Sequence, residues 1–251
     1  MADSRRPASR ADDLGAALAT LRTRLDRAVE AAGRVAGEVE LLPVTKFFPA
    51  SDVVALHGLG CKAFGESREQ EASRKIAEVA DELPDAALRW HMVGRIQRNK
   101  AKAVAAWAHT AHSVDGIALI QALGRGAVAA LEGGGRSAPL QVFVQLSLDG
   151  DPERSGVDVR EPALVDDVCA AAAGTDGLEF AGLMAIPPLG ADADEAFARL
   201  AAERDRLQVG SARRLGLSAG MSGDLEAAVR HGSTCVRVGT ALMGPRPLTS
   251  P

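Results

Sequence analysis

The sequence predicts an α/β fold, a single TIM-type (β/α)8 barrel with an extra helix ahead of the first strand. Three observations carry this expectation. From Glu38 onward, short apolar runs alternate with alanine-rich helical stretches, and no linker or low-complexity segment divides them. About eight strands can be read in that alternation, each followed by a helix, the last of them short. The length of 251 residues, 47% of them hydrophobic, suits one barrel with a full core. A doubly wound open sheet is the alternative, but it expects a glycine-rich dinucleotide turn after the first strand, where Pro49 stands instead.

In chain order, Met1 to Arg10 is polar and carries three arginines, so residues 1–10 read as a disordered tail without the apolar core of a signal peptide. One domain is expected over 11–251. Ala11 to Ala32 carries Leu14, Leu18, Leu21, Leu25 and Val29 at helical spacing among charged residues, which predicts an amphipathic helix. The run Leu41 to Lys46 reads as a buried strand that ends in a single lysine, because Phe47, Phe48 and Pro49 break the chain there. Further strands are expected near Lys62 to Gly65, Trp90 to Gly94, His109 to Val114 and Leu140 to Leu146. The last three are expected near Leu178 to Ala185, Gly216 to Ala219 and Cys235 to Gly239. Gly133 to Gly135 lacks the Lys-Ser/Thr of a phosphate loop and reads as a turn.

The formal net charge of -4, with both signs interspersed, offers no basic face for nucleic acid or an anionic membrane. No apolar run is long enough to cross a bilayer. Cys61, Cys169 and Cys235 are far apart and lack metal-ligand spacing. A cytoplasmic monomer whose ligand is a small molecule is the expectation. His109 and His112 have an odd spacing that puts them on opposite faces of a strand, which argues against a metal site. His91 is a general base or a packed strand histidine. Arg95, Arg98, Lys100 and Lys102 read as a solvated face on a short, isolated helix, Asp149 to Pro152 as a turn, and Trp90 and Trp107 as core anchors.

Chemistry concentrates at three strand ends. Lys46 sits where α/β folds bind ligands, and a desolvated amine there attacks a carbonyl; the plainer reading is a solvated lysine closing a strand. In Leu217 to Glu226 a strand passes through small residues into a helix, with Ser222 expected as its N-cap and backbone N–H groups open to an anion. Val236 to Thr240 repeats that design. These are strands seven and eight in the count, whose loops often bind phosphate in barrel enzymes. A phosphate site beside a strand-end lysine points to pyridoxal 5'-phosphate (PLP). Arg237, inside an apolar strand, needs a fixed partner; it is either a salt bridge at the barrel end or the group facing the ring nitrogen of PLP.

Val44-Thr45-Lys46, Phe64-Gly65-Glu66, Trp90 to Lys100 (WHMVGRIQRNK), Gly182 to Pro187, Gly220-Met221-Ser222 and Val236 to Thr240 together resemble the pyridoxal phosphate homeostasis protein family. The match runs in order from about Glu40 to Gly244, and the Trp90 to Lys100 run is its most specific part. The resemblance implies an alanine-racemase-like barrel of PLP fold type III. Lys46 then matches the cofactor lysine, held as a Schiff base. Ser218, Ser222, Gly239 and Thr240 match the phosphate cradle, Arg237 the arginine at the ring nitrogen, and Met184 and Ser67 further cofactor contacts. The implied role is control of intracellular vitamin B6 without committed turnover, with PLP-dependent apoenzymes as recipients. A PLP-dependent racemase or lyase is the alternative, and a Schiff-base aldolase on a phosphorylated sugar a more distant one. One departure stands out: the family usually follows Phe-Gly-Glu with asparagine and often tyrosine, where this chain has Ser67 and Arg68. The resembling racemases also use a tyrosine from an added β domain, whereas this chain contains no tyrosine and ends soon after Gly244.

Overall fold

The computed structural model describes residues 9–151 and 154–246. The expected tail lies outside the described residues as far as residue 8. Helix α1 (Arg10–Ala31) opens on a reciprocal cap: Ser9 Oγ accepts the Asp12 N–H, and the Asp12 carboxylate accepts the Ser9 N–H at 3.0 Å. Its apolar stripe, Leu14, Leu18, Leu21, Leu25 and Val29, is buried as the spacing predicts.

The barrel follows in order: β1 (Glu40–Pro43), α2 (Ala50–Gly58), β2 (Ala63–Glu66), α3 (Glu69–Glu82), β3 (Arg89–Met92), α4 (Ala101–Trp107), β4 (Thr110–Val114), α5 (Ile117–Glu132) and β5 (Leu140–Ser147). It continues with β6 (Val157–Asp158), α6 (Pro162–Gly174), β7 (Leu178–Met184), α7 (Ala193–Gln208), β8 (Gly216–Ser218), α8 (Leu225–Arg230), β9 (Cys235–Val238) and α9 (Thr240–Met243). Each of the eight expected strands is present. The two-residue β6, paired to the end of β5, was not legible. The sheet is parallel in the order β1-β9-β8-β7-β5-β4-β3-β2.

Closure between β1 and β2 rests on one bridge, Val44 to Gly65, with the Thr45 N–H reaching the Gly65 carbonyl at 2.9 Å. Backbone donors alternate along the strand: Val44 donates to Val238 of β9 and Thr45 to β2. The position of Pro43 therefore faces β2, and proline has no N–H to give. The expected strand reached Lys46, whereas β1 ends at Pro43; the missing donor fits the single bridge that joins this segment to β2.

Two apolar clusters pack between barrel and helices. One centres on β4, β5 and α4 to α7, the other joins α1 and α2 to β9 and α8. Trp90 anchors the second, 5.7 Å from the Phe64 ring, whereas Trp107 is only half-buried and lies at the edge of both. The helix expected to be isolated is not: Gly126 of α5 lets α4 approach so closely that an added Cβ would meet the Lys102 Cα at 3.0 Å.

Candidate functional site

The C-terminal ends of the strands bring three of the expected regions together. In parallel strands, register partners share a face. Met184, Ser218 and Cys235 are successive partners across β7, β8 and β9, and Arg237 follows two residues on, so all four point into the barrel. Leu42 pairs with Arg237 and Pro43 with Val238, which puts Lys46 just past the edge where Gly239 begins the last loop. An added Cβ on Gly239 would sit 3.8 Å from the Val44 carbonyl oxygen, so the two chain segments run alongside each other.

The loops after β8 and β9 also touch, through the Ala241 N–H and Ser222 Oγ at 3.4 Å. Ser222 does not cap α8 as expected. That helix starts at Leu225 behind Asp224, whose carboxylate takes the Met221 N–H at 2.6 Å and shapes the preceding turn. Ser222 is thereby displaced to face α9, and its carbonyl accepts from Arg24 of α1 at 2.6 Å. Gly220 makes the turn feasible: it has φ +91°, and a Cβ there would meet the Ala228 Cβ at 2.5 Å. Gly239 and Thr240 begin α9, with Thr240 exposed.

Inside the barrel, Arg237 donates to Ser218 Oγ at 2.5 Å and to the Ala185 carbonyl at 3.1 Å. The salt bridge expected as one option is absent: among the described residues, no carboxylate pairs with this buried guanidinium. Burial works against its charge, but a guanidinium stays protonated. Ser218 Oγ lies 2.7 Å from His112 Nδ1, and His112 Nε2 lies 2.9 Å from His91 Nδ1. Arginine only donates, so the one fixed direction in this chain is Arg237 to Ser218. Burial pushes the His91 pKa down to about 3, and His112 falls well below its ordinary value for the same reason. His91 is thus a packed interior histidine, with its Nε2 buried and unpartnered. His109 and His112 do not diverge as expected. Their rings lie 5.8 and 5.2 Å from that of His91: His112 is two residues past Thr110, the register partner of His91, and His109 precedes β4.

Lys46 is exposed, contrary to the expected desolvation, with Nζ 5.7 Å from the Phe47 ring centroid. It occupies a tight turn closed by the Phe48 N–H to the Thr45 carbonyl at 3.1 Å. Phe47 is the third residue of that turn, with φ +70°, where glycine is favoured; a non-glycine residue there stores about 1–3 kcal/mol of strain. Thr45 Oγ1 donates to Glu66 at 2.7 Å, the Phe47 N–H to Glu71 at 2.5 Å, and Lys75 Nζ to both the Thr45 carbonyl (2.8 Å) and Glu66 (2.7 Å). Glu66 is fully buried, and burial pushes its carboxyl pKa up.

Ser67 follows β2 and packs against Gly94 so closely that a Cβ added there would be 2.1 Å from the Ser67 carbonyl oxygen. Ser67 and Phe47 line a cleft of about 1160 Å³ with Arg68, Arg95, Arg98 and Lys100, so part of the expected solvated face forms a wall at the barrel mouth. Lys46, Ser222, Gly239 and Thr240 thus gather at the rim, Met184, Ser218 and Arg237 sit below it, and Ser67 flanks it. Sequence reasoning missed Lys75 and weighed His112 only as a metal ligand. The signal for Lys75 was its spacing of four residues from Glu71 on one helix face. No local signal announced the contact of His112 with Ser218.

The chain is similar to known proteins over nearly its whole length. Residues 17–247 match the family model of the alanine racemase N-terminal domain. The pyridoxal phosphate homeostasis protein of Mycobacterium tuberculosis is 58% identical over 248 residues, covering 96% of each chain. PipY of Synechococcus elongatus, solved with PLP bound, is 33% identical with a TM-score of 0.76 over 92% of this chain and all (100%) of its own. A protein of unknown function from Bifidobacterium adolescentis is 31% identical with a TM-score of 0.82, covering 96% of this chain and 98% of its own. With its barrel, its strand-end lysine and this level of identity, the chain belongs to the pyridoxal phosphate homeostasis protein family.

Proposed function

We propose that the chain binds PLP, carries it as a Schiff base on Lys46, and serves intracellular vitamin B6 homeostasis without committed substrate turnover. The observation that carries this reading is Arg237, a buried cation that no carboxylate among the described residues neutralises, on β9 in register beside the strand that delivers Lys46. A lone guanidinium in a barrel calls for an acceptor, and a pyridine nitrogen is one. The homeostasis relatives and the PLP-bound neighbour support the choice of ligand.

When bound, PLP supplies an aldehyde carbon for an amine and an electron-withdrawing ring. The exposed Lys46 amine would meet the aldehyde. Ser222, Gly239 and Thr240 would hold the phosphate at the rim, where the segments after β8 and β9 touch. Because Ser218 is bonded to Arg237, we assign it to the ring side and not to the phosphate cradle that the resemblance implies; Met184, its register neighbour, would pack against the ring. Ser67, one atom shorter than an asparagine amide, would orient the ring hydroxyl through a water. PLP-dependent apoenzymes in the cytoplasm are the recipients, and the chain acts as a monomer. Titrating the apoprotein with PLP tests this: saturable visible absorbance that disappears in Lys46→Ala supports the reading, and equal absorbance in both proteins refutes it.

A further inference from the structure

We infer that Glu71 and Lys75 are positioning residues for Lys46, acting through the backbone on either side of it. This rests on the proposed role of Lys46. Thr45 is held from the α3 side, and Lys46, the next residue of the turn, is exposed with Nζ 5.7 Å from the ring of Phe47, a lining residue of the cleft at the mouth. Lys75 Nζ, buried on α3, holds the Thr45 carbonyl at 2.8 Å and Glu66 at 2.7 Å, while Glu66 takes the Thr45 hydroxyl at 2.7 Å. On the other side of Lys46, Glu71 takes the Phe47 N–H at 2.5 Å and lies 3.4 Å from the same Lys75 amine.

Lys46 is thus the one residue of the segment 45–47 with no bond to this cluster among those found, and both its neighbours are fixed. Phe47 holds a backbone conformation, φ +70°, that a bulky residue leaves unless something opposes it. Glu71 supplies that opposition, since relaxing Phe47 to negative φ would swing its N–H away from the carboxylate. Releasing either neighbour would free the Lys46 backbone and widen the range of directions that its amine samples. The amine itself needs no buried partner, which fits its exposure. Glu66, Lys75 and Glu71 therefore act as a clamp that sets direction rather than protonation.

The test measures how fast Lys46 reacts in the folded apoprotein, using pyridoxal, which lacks the phosphate, with borohydride trapping and peptide mass spectrometry. Tryptophan fluorescence, from Trp90 and Trp107, confirms that each variant is folded at the assay temperature. Glu71→Ala is expected to slow labelling of Lys46 about tenfold and to deprotect the Phe47 amide in hydrogen exchange. Glu71→Gln, which keeps an acceptor for that N–H, should lose less. Phe47→Gly in the Glu71→Ala background should recover most of the rate, because glycine adopts positive φ without a restraint. Labelling of Lys46 at the wild-type rate in folded Glu71→Ala overturns the clamp alone. Absence of label on Lys46 in the wild type overturns the proposed cofactor lysine and the clamp with it.

Discussion

Arg237 Nη1 donates to Ser218 Oγ at 2.5 Å in the barrel interior, and the same oxygen lies 2.7 Å from His112 Nδ1. The hydroxyl thus joins a buried cation to a buried imidazole. Ser218→Ala leaves both short of a partner and should destabilise the fold by about 1–3 kcal/mol in urea unfolding, the usual range for a buried polar group left unsatisfied. The same change should weaken PLP and pyridoxal alike if Ser218 serves the ring side, as proposed. A loss confined to PLP would move Ser218 to the phosphate.

The rim residues should behave differently. Thr240→Ala and Ser222→Ala are expected to weaken PLP by about 1–2 kcal/mol each, toward the low end for hydrogen bonds to a charged group because both side chains keep solvent contact. Pyridoxal, lacking the phosphate, should bind these variants as it binds the wild type. Parallel titrations with the two ligands give the comparison.

His91 and His112 predict acid sensitivity. Their folded-state pKa values lie below the ordinary 6.5, about 3 for His91, so between these limits the unfolded chain binds protons that the fold refuses. Stability contributed by the neutral rings is therefore present above about pH 6.5 and lost as pH falls, at roughly 1.4 kcal/mol per unit for each ring. Urea midpoints from pH 7 to pH 4 should show this slope, and His91→Gln should reduce it by about half. An unchanged slope in that variant would mean that His91 does not stay neutral.

Much of this architecture was legible in the sequence, because strand ends and helix faces follow local rules. The stripe from Leu14 to Val29 and the eight barrel strands came from periodicity, which packing then reinforced. Lys46 stood out because Pro49 and two phenylalanines stop its strand. What stayed hidden depends on contacts between distant segments. Ser222 looked like a cap until Asp224 took the turn. His112 and Ser218 are 106 residues apart, and Lys75 reaches Thr45 across 30, so no local spacing announces either pair.

Racemisation of amino acids should be absent. A guanidinium cannot accept a proton, so a ring nitrogen facing Arg237 remains unprotonated and withdraws electrons less strongly than one paired with a carboxylate. Lys46 offers a base on one side of the mouth, and the chain has no tyrosine to serve the other. Incubation with L-alanine in deuterated water should give no sustained D-alanine. Multiple turnovers that disappear in Lys46→Ala would instead make the protein an enzyme.

The central claim is that Lys46 is the residue that carries PLP. Borohydride reduction of the PLP-loaded protein, followed by peptide mass spectrometry, reads this directly. The account predicts one pyridoxyl phosphate group, fixed on Lys46. The same mass found on Lys62 or Lys100, with Lys46 unmodified, would contradict it.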